Sequence, residues 1–69
     1  MNMNPVISSN IAAVGYDGST LRILFHSGGL YDYYNVPASV YENLMHATSK
    51  GHYHACNIKG VYRYSRINQ

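Results

Sequence analysis

The sequence predicts a small α+β domain: an antiparallel sheet, made of a three-stranded meander plus a C-terminal strand, with one amphipathic helix packed on one face. Three observations carry this expectation. Apolar side chains alternate from Leu21 through Ile23 to Phe25, turn signals containing glycine stand on either side of that run, and one stripe at helical spacing follows Pro37.

Residues 1–9 are polar and unpatterned, so they are expected to form a loosely ordered lead-in, with residues 10–69 as the single domain. Ile11 to Tyr16 is small and apolar and ends at Asp17-Gly18, a dipeptide that tolerates the positive φ of a tight hairpin turn. Leu21, Ile23 and Phe25 then alternate with Arg22, Leu24 and His26, the period of a strand with one face in the core. Ser27-Gly28-Gly29 supplies a second turn, and the tyrosine-rich run from Leu30 to Val36 suits a third strand. Pro37 cannot donate to a sheet ladder, but its fixed φ suits the first turn of a helix. Val40, Leu44 and Ala47 continue from it at i, i+4, i+7, predicting a helix over about residues 38–49 with Gly51 as its C-terminal cap. Residues 52–59 read equally as a short strand or an irregular turn. Past Gly60, Val61 to Ile67 alternates as a last strand. The second sheet face has no cover in this scheme, so it must be tolerably polar or meet another molecule.

Composition bounds the function. At 69 residues, with 46% hydrophobic and 12% charged side chains, the chain holds one folded domain and no two-domain enzyme. So short a chain buries a modest core, which favours a small homo-oligomer. Its one cysteine, Cys56, has no partner within the chain, consistent with a reducing, cytoplasmic setting. No apolar run approaches the roughly 20 residues that cross a bilayer, so no membrane partner is expected. Residues 1–42 hold Arg22 against Asp17, Asp32 and Glu42, whereas residues 43–69 hold Lys50, Lys59, Arg63 and Arg66 with no acid. That asymmetry points to an anionic partner.

The aromatic content is almost all hydroxylated: 8 Tyr, 1 Phe and no Trp. Tyr31-Asp32-Tyr33 and Tyr62-Arg63-Tyr64 each place two phenols on one side of a strand, where an exposed pair would be a platform for stacked bases. Filling the core with hydroxyls at its rim is the competing use of such rings. The phosphate-contacting candidates are Lys50, Lys59, Arg63, Arg66 and Arg22, for which a solvated face is the alternative. His52-x-His54-x-Cys56 would project three ligands from one side of a strand, yet structural zinc takes four, and no metal or other cofactor is expected. Acids are few, Asp17 is explained by its turn, and neither a nucleophile elbow nor a phosphate loop is present, so no enzyme activity is predicted.

The ordered series Ser8-Ser9-Asn10-Ile11, Gly15-Tyr16-Asp17, Leu21-x-Ile23-x-Phe25, Tyr31-Asp32-Tyr33, Val36-Pro37, Val40-Tyr41, Leu44, Ala47, Ser49-Lys50-Gly51, Tyr53, Ile58-Lys59 and Tyr62 resembles the KTSC domain over about residues 8–66. That family takes its name from the C-terminal segment of some lysyl-tRNA synthetases and also occurs as small free-standing bacterial and phage-type proteins. The resemblance implies a module of unknown function for which RNA binding is suggested. One departure is His54-Ala55, which stands where the family commonly carries Phe-Asn. Together these readings predict a non-enzymatic module binding RNA or another phosphate-bearing ligand through Tyr31, Tyr33, Tyr62, Tyr64 and the cations. The alternatives are a protein-interaction or inhibitor module acting through the open sheet face, and an oligomer that sequesters a small nucleotide.

Overall fold

The computed structural model describes residues 1–68, so Gln69, the last residue of the expected domain, lies outside the described residues. Its elements in chain order are β1 (Asn4–Pro5), β2 (Ile11–Tyr16), β3 (Leu21–Phe25), β4 (Leu30–Tyr33), α1 (Ala38–His46), α2 (Lys50–Asn57) and β5 (Tyr64–Arg66). The five strands form one antiparallel sheet in the order β1-β2-β3-β4-β5. The α+β class therefore holds; to the expected three-stranded meander, C-terminal strand and single helix the structure adds the short β1 and a second helix.

The meander itself follows from local chemistry. At the first turn the Asp17 carboxylate accepts from the backbone N–H groups of Thr20 (2.8 Å) and Ser19 (3.1 Å), which also holds its pKa below the ordinary value. Gly18 takes φ 103°, open to glycine and strained for other residues. The second turn closes with Gly28 N–H donating to Phe25 O and Phe25 N–H donating to Gly29 O. Asn68 clamps that turn from a distance, donating to Gly28 O and accepting from Leu30 N–H.

Three boundaries differ from expectation, and the segment left open between strand and turn is neither. Strand β4 ends at Tyr33 rather than Val36, because Asn35 adopts φ 57°, which bends the chain out of the sheet. Helix α1 stops at His46, since Ala47 is already extended at ψ 139°. The ambiguous stretch after it is helical: Ser49 is extended, its side chain accepts from His52 N–H, and Lys50–Asn57 follows as α2. Gly51 thus sits in the first turn of α2 and is no C-cap; a Cβ there would lie 2.7 Å from the Asn10 side-chain nitrogen. The last strand starts at Tyr64 because Val61 and Tyr62 still fold back, both N–H groups donating to Ile58 O around Gly60 at φ 78°. Within the lead-in, Asn4 and Pro5 pair with Val14 and Ala13.

One sheet face carries the core. Ile11, Val14, Leu21, Ile23 and Tyr33 from the strands meet Val36, Leu44 of α1 and Ile58 after α2 in a single buried cluster. Tyr16 joins β2 to α1 by stacking on Tyr41 at 4.7 Å and donating to Val36 O. On the opposite face Arg22 and Asp32 stand directly across the β3–β4 ladder and form a two-point ion pair, Nε to Oδ1 at 2.7 Å and Nη2 to Oδ2 at 3.0 Å. Residues 1–3 cross that face at Gly15, where an added Cβ would come within 2.8 Å of Met3 Sδ. The expectation of a face left bare by this chain is corrected accordingly: its middle is closed by the ion pair and one end by residues 1–3. Among the described residues, no helix is long and apolar enough to cross a membrane.

Candidate functional site

The register decides which tyrosines meet. Ile23 lies opposite Tyr31 and Leu21 opposite Tyr33, while on the other side Tyr31 pairs with Arg66 and Tyr33 with Tyr64. Alternation therefore puts Tyr31, Tyr33, Tyr64 and Arg66 on the helix-covered face, with Leu21 and Ile23. The helices do not reach that far. Beyond the edge of α2 an open cleft of about 270 Å3 remains, lined by Phe25, Ser27, Tyr31, Tyr33, Lys59 and Tyr64.

Its walls are aromatic rings in mutual contact. Tyr64 lies 5.9 Å from Tyr31 and 5.8 Å from Tyr33, centroid to centroid, and Phe25 meets Tyr31 edge to face at 5.6 Å. The Arg66 guanidinium carbon stands 5.8 Å from the Tyr31 ring centre, a cation–π distance. Tyr33 is the floor: it is 4% exposed, and its hydroxyl is 2.8 Å from Nε2 of the buried His54. Burial, with Tyr31 and Tyr64 as neighbours, pushes the Tyr33 phenol up to about 12. Burial and then the charge of Lys59 hold His54 below its ordinary value. The imidazole is thus neutral near pH 7 and shares one hydrogen bond with the phenol through Nε2.

Tyr64 is 59% exposed and Tyr31 partly so, which makes these two the rings an incoming planar group would touch. Their contact surface is flat, apolar and hydroxyl-edged, and two cations border it. That arrangement suits an aromatic group carrying negative charge nearby.

Of the residues singled out from the sequence, the structure brings Tyr31, Tyr33, Lys59, Tyr64 and Arg66 together. It does not bring in the other four. Tyr62 precedes β5 and packs against the core, so Tyr62 and Tyr64 make no shared platform. Arg63 is exposed one residue before Tyr64, on the other side of the chain by alternation. Lys50 opens α2 with its Nζ donating to Ala47 O at 3.3 Å. Arg22 is taken by Asp32 on the far face, and the carboxylate keeps its guanidinium pKa raised.

Two lining residues, Phe25 and Ser27, were not anticipated, nor was His54 behind Tyr33. Phe25 was legible as the end of the Leu21-Ile23-Phe25 alternation, which carries it to the cleft side. His54 was hidden because the helix around it was not foreseen. On α2 the His52-x-His54-x-Cys56 trio splits: His52 Nε2 and Cys56 Sγ are 3.5 Å apart on the exposed side, while His54 points into the core. A second polar hollow, lined by Ser9, Asn10, Phe25, His26, Ser27, Gly51 and His54, adjoins the first across Phe25 and Ser27.

Comparison with known proteins agrees with this architecture. The family model described as the KTSC domain matches residues 7–67. A lysine–tRNA ligase of Nostoc sp. is 40% identical over 62 residues, 87% of this chain and 11% of that protein. A protein of Tsukamurella paurometabola is 43% identical over 53 residues, 74% of this chain and 79% of that one. Among solved structures, a KTSC domain protein from Yersinia pestis superposes with TM-score 0.93 at 38% identity, covering 97% of both chains. The chain spans about a tenth of the length of the tRNA ligases it matches.

Proposed function

From the premise that this chain belongs to the KTSC domain family, we propose that it is a non-enzymatic module that binds single-stranded RNA at the cleft of β4 and β5. One observation carries the reading: Tyr31 and Tyr64 present ring surface to solvent in the same cleft that Lys59 and Arg66 border. A base stacks on the tyrosines, and the adjoining phosphates meet the two cations. Similarity to a segment of lysine–tRNA ligases supports an RNA context without carrying over ligase activity.

The same chemistry argues against catalysis. A phenol with a pKa of about 12 is a poor acid or base near neutrality, and Nε2 of His54 is already engaged by that phenol.

With two cations at the cleft, the slope of log affinity against log salt should be about −1.4, at roughly −0.7 per phosphate neutralised. Titration of a fluorescent single-stranded RNA at low salt tests the proposal. Tyr64→Ala should weaken binding by about 5- to 150-fold, the range for one lost stacking contact of roughly 1–3 kcal/mol. Equal affinity of the wild type and a Tyr64→Ala, Lys59→Ala double variant would end this reading.

A further inference from the structure

The two edges of the sheet are not alike. At one end β1 is two residues long and contains Pro5, which has no N–H to offer an incoming strand. At the other end β5 reads Tyr64-Ser65-Arg66, with all three residues exposed. Tyr34 N–H donates to Arg63 O, and Ile67 N–H donates to Leu30 O. Hydrogen-bonded pairs alternate along an antiparallel ladder. The polar backbone groups of Arg63, Ser65 and Ile67 therefore turn toward β4, and those of Tyr64 and Arg66 turn outward. No described residue supplies a backbone partner for the outward set.

We propose that β5 is the docking edge for a second copy of this chain, paired antiparallel about a twofold axis at Ser65. The geometry is self-complementary. In that register Tyr64 faces the partner's Arg66, and Arg66 faces the partner's Tyr64. The outward N–H and C=O groups of these residues satisfy one another in four hydrogen bonds, while Ser65 meets its own copy at a position without ladder bonds. Side chains agree as well: a phenol lies beside a guanidinium twice, and no like charges stand directly opposite. Arg63 falls opposite the partner's Ile67 in the same register. Val61, Tyr64 and Ile67, the large apolar side chains left exposed near this edge, gain cover. Both clefts then lie on one face of a ten-stranded sheet, and the partner's Arg66 adds a third cation beside Tyr64. The inference stands on the edge itself and does not depend on RNA being the ligand.

Disulfide trapping tests it. Cys56 is free and exposed, so the background carries Cys56→Ser. Ser65→Cys should oxidise readily to a crosslinked dimer, because residues at such a position have Cα atoms about 4.5 Å apart, within disulfide reach. Arg63→Cys, equally exposed, would stand opposite the partner's residue 67 and thus roughly 14 Å from its own copy at about 3.4 Å per residue, and should not crosslink. Adding Arg66→Pro to Ser65→Cys removes two outward N–H groups per dimer and no backbone bond within the chain, though it also takes away the Arg66 side-chain contacts with Asn68 and Tyr31; trapping should slow at least about tenfold, the factor for two weak hydrogen bonds. Circular dichroism confirms that each variant keeps the sheet. Trapping at Ser65→Cys no faster than at Arg63→Cys, or a rate indifferent to Arg66→Pro, overturns the proposal.

Discussion

Two regions share one face of the sheet and are built from different side chains. Toward β2 the face is sealed by α1 and α2, and its contacts are aliphatic: Val14, Leu21, Ile23, Leu44 and Ile58 are all fully buried. Toward β5 the helices stop, and the same strand alternation presents Tyr31, Tyr33 and Tyr64 with Arg66. The boundary falls within β4, where Tyr33 is buried like a core residue yet bonds His54 through its hydroxyl. The contrast shows how a chain of 69 residues separates stability from recognition. Aliphatic groups go where water is excluded on all sides, and hydroxylated rings go where one side stays wet.

If that division holds, substitutions in the two regions should have separable effects. Leu44→Ala removes a fully buried side chain from the sealed region and should cost about 2–5 kcal/mol, seen as a large drop in thermal midpoint. The folded fraction should still bind at the cleft. Loss of binding disproportionate to unfolding would break the separation.

Asp32→Ala tests the far face, where it strands the Arg22 guanidinium. Because the Arg22 side chain is 31% exposed, water relieves part of the penalty, and the expected cost is about 1–3 kcal/mol by denaturant titration. Cleft affinity should be unchanged.

Tyr33→Phe addresses the boundary. It leaves the ring and removes the hydroxyl, so about 1 kcal/mol of stability should go with the hydrogen bond to His54. The phenol pKa is higher folded than unfolded, so its contribution is complete below pH 10 and lost as pH climbs from 10 through about 12. The Phe variant should lose less stability than the wild type across that alkaline window.

The smallest effect is expected on the acid side. His54 has a lower pKa folded than unfolded, so the unfolded chain takes up its proton first as pH falls. Its contribution is complete above about 6.5 and declines below that value until the folded form protonates too. His54→Phe should flatten this decline between pH 8 and 5 in denaturant titrations. An unchanged slope would mean that the histidine is not held neutral by burial.

Much of the fold was legible in the sequence because its signals are local. Asp17-Gly18, the Leu21-Ile23-Phe25 alternation and the Pro37 helix start each act within a few residues, and all three lie where expected. The second helix was missed although Ser49 is a capping residue: the segment after it contains Gly51, three aromatic or imidazole rings and no apolar stripe, so neither period stood out. Its helical state is supported by packing of His54 on Phe25 and Tyr33 and of Ile58 in the core, a tertiary contribution.

The sequence alone determined the α+β class, the KTSC family, the excess of tyrosine over other aromatics and the cationic last third. The tertiary structure decided which of those tyrosines and cations meet. Tyr31 and Arg66 are far apart along the chain, as are Tyr33 and His54, and their proximity depends on a ladder register and on where a helix ends. A register shift of a single residue would turn Tyr64 and Arg66 to the other face, and no local pattern in the chain records that choice.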